Sequence, residues 1–275
     1  AKSARAGFTG AQTAKAQPSP VDMGVVTSTV QAMLPADAIV TNGAGNFAIW
    51  PNKFLQFSEH QRLLAPQSGA MGYGLPAAIA AKVAYPERCV VCFAGDGDFQ
   101  MNCQELGAAL QTGARPIVLI VNNGSYGTIR MHQERHYPRR VSGTDMINPD
   151  FVTLARAYGF HGERIERTED FADAFSRALA SPTGAILDLN VAPEAITPTM
   201  TIQDLLVAKA ATSSPPPRPP GSSEPGGFVV FGPAFISAPP APTDSVSTTE
   251  GTPCTPSPTP STTPAARTAM RRRPG

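Results

Sequence analysis

The chain of 275 residues is short of charge imbalance, of tryptophan, of cysteine and of long apolar runs. Each scarcity excludes a class of protein. Lys and Arg number 22 against 21 Asp and Glu, a formal charge of +1, so no basic surface for a nucleic-acid partner is indicated. No segment reaches the roughly 20 consecutive apolar residues of a spanning helix, which leaves no membrane partner either. The chain opens at Ala1 without a hydrophobic leader region, as expected of a cytoplasmic protein or of an internal fragment. Four cysteines do not make a disulfide framework in a chain this long. Cys89 and Cys92 have CxxC spacing, but they sit in a buried-strand pattern with no second pair and read as core thiols. His132 and His136 could share a helix face as zinc ligands. No third ligand is suitably placed, and the surrounding Arg130, Arg135, Arg139 and Arg140 make them solvated histidines of a basic segment.

A different scarcity divides the chain. Beyond Lys209 there is no leucine, and proline makes up roughly a quarter of the residues. Such a segment buries too little apolar surface to offset chain entropy, so residues 209–275 are expected to be disordered. Its residue types have GC-rich codons, as an out-of-frame or extended reading of a GC-rich gene would give. Pro215 to Pro220 could equally be a polyproline ligand. Residues 1–20 are rich in Ala, Lys, Ser, Gln and Pro without a periodic apolar face, like an interdomain linker. Residues 21–208 remain as the folded domain.

Within that domain strand and helix patterns alternate. A helix over Val21–Leu34 stops at Pro35, and a short strand over Ala38–Thr41 runs into the glycine-rich turn Asn42–Asn46. A helix is expected from the Gln67–Pro76 segment through Ala84, with Pro76 in its first turn. The apolar run ending at Ala94 is a buried strand. Phe99, Cys103, Leu106 and Leu110 then recur at helical spacing. Pro116–Val121 is a second buried strand, and 124–134 turns into a short helix. A capped helix over Pro149–Gly159, a strand over Phe160–Ile165, a helix over Thr168–Ala180 and a last strand over Gly184–Val191 complete the series. This alternation predicts an α/β fold, a doubly wound and mostly parallel sheet flanked by helices.

The first buried strand delivers Gly95-Asp96-Gly97 and the second delivers Asn122-Asn123, so both clusters emerge at the edge where open α/β sheets bind ligands. Asp96, the amide oxygen of Asn123 and the backbone carbonyl of Ser125 are hard oxygen ligands suited to Mg²⁺, which shares its coordination with phosphate. Gly95 and Gly97 allow close backbone approach, and the amides opening the next helix can face an anion. Together these residues describe a metal-bridged diphosphate site.

Gly-Asp-Gly, a spacer over residues 98–121 and Asn-Asn resemble the cofactor signature of thiamine diphosphate enzymes. Gly95–Asn102 with Gln104-Glu105-Leu106 is similar to the acetolactate synthase large-subunit branch, of which the chain would be the C-terminal, diphosphate-binding domain. The resemblance covers about residues 21–205. It implies thiamine diphosphate and Mg²⁺ as cofactors and a 2-oxo acid such as pyruvate as substrate, decarboxylated and passed to an acceptor. The metal ligands would be Asp96, Asn123 and Ser125, and Gly95, Gly97 and Asp98 would meet the cofactor. Gly45 and Asn46 would approach its diphosphate from the other side, in a turn that lacks the Gln and His usual in that branch and otherwise reads as an ordinary strand-to-helix turn. Met71 would wedge between the cofactor's rings, or else fill the core, and the Gly69 carbonyl would orient the pyrimidine amine. The 124–134 region would border the substrate pocket. The activating glutamate of such enzymes belongs to a separate pyrimidine-binding domain or subunit. Glu105 lies on the wrong half to replace it, and a homo-oligomer is implied. Without that glutamate, a cofactor-binding module devoid of catalysis is the alternative.

Overall fold

A computed structural model describes residues 14–17 and 20–213. The expected disorder beyond residue 213 and most of the expected linker lie outside the described residues. Lys15, within that linker, donates its amide to Pro198 O at 3.2 Å and pairs with Asp204 at 3.1 Å.

The order of elements follows the apolar periodicity. Asp22 caps helix α1 (Met23–Met33), its carboxylate accepting from Gly24 N at 2.7 Å. Strand β1 (Ile39–Asn42) leads through a short turn at Asn46–Ala48 into α2 (Ile49–Phe54) and β2 (Arg62–Leu64). Next come α3 (Gly74–Ala84), β3 (Val90–Gly95) and α4 (Asp96–Gln100). Helix α5 (Leu106–Thr112) precedes β4 (Ile117–Asn122), followed by α6 (Gly127–His136), α7 (Phe151–Ala157) and β5 (His161–Ile165). Helix α8 (Phe171–Ala180) and β6 (Ala185–Asn190) complete the main sheet. A hairpin of β7 (Ala195–Thr197) and β8 (Met200–Thr201) then leads into α9 (Ile202–Ser213), which crosses the expected boundary at residue 208.

The six strands of the main sheet are all parallel, in the order β2-β1-β3-β4-β6-β5. The doubly wound expectation is therefore borne out. Strand side chains alternate between two faces, each with its own core. Val91 and Phe93 of β3 with Leu119 of β4 pack towards α1 and α8, where Phe171 and Phe175 stack at 5.5 Å. Cys92 and Ala94 with Val118 and Ile120 pack instead towards α3, α5 and α7. Cys92 is fully buried, and desolvation pushes its thiol up to about 12, as for a core group rather than a ligand. Cys89 is likewise pushed up, to about 11.

Three features differ from the sequence reading. Strand β2 was not anticipated, because a half-exposed edge strand this short carries no periodic signal. The single helix expected after Gly97 is broken. Asn102 leaves the helical region with φ −139°, and its side-chain amide donates to Gly72 O at 2.8 Å, so α4 and α5 are separate and Leu110 stays half exposed. The β7–β8 hairpin and α9 were also missed. Ile196, Ile202 and Leu205 bury themselves with Met131 of α6 in a small third cluster.

Because the sheet is parallel, β1, β3, β4 and β6 end on one edge. Gly95 pairs with Val121, and Asn122 pairs with Asn190. The chain leaves β1 outward to β2 and returns on the other side to β3, so the crevice between β1 and β3 is the topological switch point.

Candidate cofactor and metal site

A cavity of about 250 Å³ opens at that edge, and every candidate residue lines it. The turn after β1 contributes Gly45 and Asn46, the segment before α3 contributes Gly69 and Met71, and the turn after β3 contributes Gly95 through Asp98. Asn123 and Ser125 come from the turn after β4. Fold topology thus gathers residues that the sequence spreads from 45 to 125.

Asp96 is 3% exposed and its carboxylate accepts three hydrogen bonds. Its Oδ1 accepts from Gly97 N at 3.0 Å, and its Oδ2 accepts from Gly124 N at 2.9 Å and from Asn148 Nδ2 at 2.7 Å. Burial holds its carboxyl above the ordinary aspartate value despite these donors. No Lys, Arg or His pairs with it among the described residues. Asn123 Oδ1 accepts from Ser125 N at 3.1 Å, and Ser125 Oγ donates to Thr144 O at 3.1 Å. Gly97 is glycine for want of room, since a Cβ there would lie 2.7 Å from the Tyr126 ring.

Asp98, also buried and also raised by desolvation, acts on backbone. Its Oδ1 accepts from Gly72 N at 2.8 Å and from Ala44 N at 3.1 Å, tying the turns after β1 and before α3 to the start of α4. A side chain at Gly43 would overlap that carboxylate. The Asn46 amide is similarly engaged, since its Oδ1 accepts from Thr128 Oγ1 at 3.1 Å. Met71 remains 37% exposed on the cavity wall, so of the two readings given for it the core-filling one is the poorer fit.

Reading the sequence missed Asn148 and the partner roles of Asn122 and Asp188. Asn122 Oδ1 accepts from Asn148 Nδ2 at 2.9 Å, and its Nδ2 donates to Asp188 Oδ1 at 2.9 Å. Asn122 stood beside a residue already singled out, which was the one available signal. The two histidines stack at 6.4 Å between ring centroids, and among the described residues no three His, Cys, Asp or Glu side chains gather as metal ligands. Glu105 does not line the cavity.

The cavity is lined by two aspartates and by no Lys, Arg or His. A diphosphate placed there would meet like charge, so such an anion fits only together with a cation. Asp96 supplies hard oxygen with acceptor capacity left on Oδ1, and Gly69 on the cavity wall faces open space, with nothing within 4 Å of where a Cβ would lie. The residues present therefore fit a metal-bridged diphosphate.

Comparison with known proteins agrees. Residues 43–189 match the family described as thiamine pyrophosphate enzyme, C-terminal TPP binding domain. The acetolactate synthase large subunit of Parasynechococcus marenigrum (strain WH8102) is 41% identical over 160 residues, which cover 58% of this chain and 26% of that protein. Acetolactate synthase isozyme 2 large subunit of Escherichia coli (strain K12) is 35% identical over 159 residues, covering 57% and 29%. Among solved structures, a thiamine diphosphate-dependent 4-hydroxybenzoylformate decarboxylase of Rhodococcus jostii RHA1 superposes with a TM-score of 0.60 at 30% identity. That match covers 66% of this chain and 34% of the other. The chain spans about a quarter of the length of the curated relatives it matches, 26% and 27% for the first two.

Proposed function

Because the chain belongs to the thiamine pyrophosphate enzyme family through its C-terminal cofactor-binding domain, we propose that it is the diphosphate-binding part of a thiamine diphosphate- and Mg²⁺-dependent 2-oxo acid decarboxylase or carboligase of the acetolactate synthase type. The observation that carries this reading is the charge of the cavity. Two buried carboxylates stand at the ends of β3 and α4's first turn with no basic side chain opposite them. A divalent ion compensates the acids and the diphosphate at once.

In this reading Asp96, the amide oxygen of Asn123 and the Ser125 carbonyl hold Mg²⁺, and Gly45, Asn46, Gly95 and Gly97 border the phosphates. Asp98 serves the cofactor through backbone, by fixing the turns that carry Ala44 and Gly72. Met71 would support the cofactor's rings from the cavity wall, and the Gly69 carbonyl would accept from the pyrimidine amine. When bound, thiamine diphosphate supplies a carbon nucleophile that adds to the substrate carbonyl and stores the electron pair released by decarboxylation. The chain's contribution is to hold the two rings close, an orientation effect. No glutamate lines the cavity among the described residues. The activating carboxylate is therefore assigned to a pyrimidine-binding domain or subunit, across a homo-oligomeric interface.

That same lack of a glutamate favours a second reading, a cofactor-binding module without turnover. Titrating the chain with thiamine diphosphate and Mg²⁺, then assaying pyruvate consumption with and without a co-expressed pyrimidine-binding domain, separates the two. Turnover only in the mixture supports the enzyme reading. Binding without turnover in either supports the module, and absence of Mg²⁺-dependent binding defeats both. Among the described residues no helix is long and apolar enough to cross a membrane.

A further inference from the structure

The stretch 137–150, between α6 and α7, lies back over the turn that carries Asn123 and Ser125. Tyr126 N donates to Thr144 O at 2.8 Å, and Met146 N donates to Gly124 O at 2.9 Å. Ser125 and Asp145 form an antiparallel bridge. A connection this long in a compact domain commonly has a job. At its end stands Asn148, which does not line the cavity.

We propose that Asn148 is a positioning residue that aims the Asp96 carboxylate at the metal. The proposal rests on reading Asp96 as a metal ligand. Asn148 Nδ2 donates both of its hydrogens, to Asp96 Oδ2 at 2.7 Å and to Asn122 Oδ1 at 2.9 Å. Its Oδ1 accepts from Gln100 Nε2 at 2.9 Å. Turning the amide over would set its oxygen against two acceptors and its NH₂ against another NH₂, so one orientation is enforced. Behind it, Asn122 Nδ2 donates to Asp188 Oδ1 at 2.9 Å, and Arg164 Nη1 holds Asp188 Oδ2 at 3.1 Å. A continuous polar strut thus runs from the candidate ligand to β6 and β5.

The consequence falls on one carboxylate. With Gly124 N and Asn148 both on Oδ2, only Gly97 N is on Oδ1. The remaining lone-pair capacity of Asp96 is therefore concentrated on Oδ1, and rotation that would exchange the two oxygens is opposed. Partners of this kind behind a ligating carboxylate are commonly worth about 10- to 100-fold in metal affinity.

The test uses the full chain, with Mn²⁺ and inorganic diphosphate as probes and free Mn²⁺ read by electron paramagnetic resonance. Hydrogen exchange of the Tyr126 and Met146 amides reports whether the 137–150 stretch stays docked. Asn148→Ala should weaken Mn²⁺ binding by about tenfold or more while both amides keep their protection. Gln100→Ala, which removes the group holding the Asn148 oxygen together with a 3.4 Å bond from Gln100 Nε2 to the Asp96 backbone O, should give a smaller loss in the same direction and serves if Asn148→Ala does not fold. Wild-type affinity in the folded variants overturns the proposal, and so does a loss that comes together with loss of amide protection. If the wild-type chain itself binds no Mn²⁺ with diphosphate, the reading of Asp96 as a ligand falls first.

Discussion

Two groups of acids lie at different places on the same sheet and are treated in opposite ways. Beside β5, Glu163 accepts from Arg177 through two bonds of 2.8 and 2.7 Å and lies 2.9 Å from His161. Nearby Asp170 accepts from Arg167 at 2.9 and 2.7 Å. Arg177 and Arg167 hold these carboxyls below the ordinary range. At the carboxyl ends of the strands Asp96 and Asp98 are buried, are raised by desolvation, and have no cationic side chain paired with them among the described residues. The chain neutralises its outer acids itself and leaves its inner pair to uncharged donors, backbone amides for both and the Asn148 side chain for Asp96. An uncompensated buried charge is costly. Where a fold retains one in a cavity, an external cation is the economical explanation.

Removing the inner acid gives the largest expected effect. Asp96→Ala, or Asn123→Ala, should lower the affinity for thiamine diphosphate in Mg²⁺ by more than about 100-fold, beyond what an outer partner contributes. Calorimetric titration measures the loss, circular dichroism should show the fold intact, and unchanged affinity in both variants would refute the assignment. Two glycine substitutions come next. Gly97→Ala drives a Cβ to 2.7 Å from the Tyr126 ring, and Gly184→Ala drives one to 2.7 Å from Pro116 O at a residue with φ +71°. Each should cost about 1–3 kcal/mol in urea unfolding. Only Gly97→Ala should also weaken Mg²⁺-dependent cofactor binding, because Gly184 lies at the opposite end of the sheet.

Acid titration sets the two groups against each other. Asp96 is raised in the folded state, so its contribution to stability is full below its unfolded-state value and is lost as pH rises through the folded one. Glu163 is lowered, so its contribution is present above its unfolded-state value and is lost as pH falls through the folded one. In chelator, the stability of Asp96→Ala relative to wild type should improve as pH rises above about 4, and that of Glu163→Gln should worsen as pH rises towards about 4.5 and level off above it. Shifts of one sign for both variants would erase the distinction. The Glu163→Gln effect is the smallest expected, below about 1 kcal/mol at pH 7, because the ion pair is partly solvated.

Much of this arrangement was legible in the sequence. Buried strands announce themselves as β-branched runs, and glycines mark the turns that follow them, so the Asp96 and Asn123 turns could be placed on one edge before any coordinates. What escaped has a physical cause in each case. The three-residue β2 has no period to detect. The break at Asn102 depends on a bond to Gly72, 30 positions away, and apolar spacing cannot report it. Asn148 meets Asp96 across 52 positions from the end of an irregular stretch, where nothing local distinguishes it from a turn asparagine preceding Pro149. Asp98 was among the candidates read from the sequence, but only the folded chain shows its carboxylate engaged by the Ala44 and Gly72 amides.

The most direct measurement is a crystal structure of the full chain grown with Mg²⁺ and thiamine diphosphate. The account expects one octahedral ion with Asp96 and Asn123 oxygens about 2.0–2.1 Å away, both phosphates bound to it, and the thiazolium ring beside Met71. Diphosphate density elsewhere, or an ion that touches neither side chain, would contradict it.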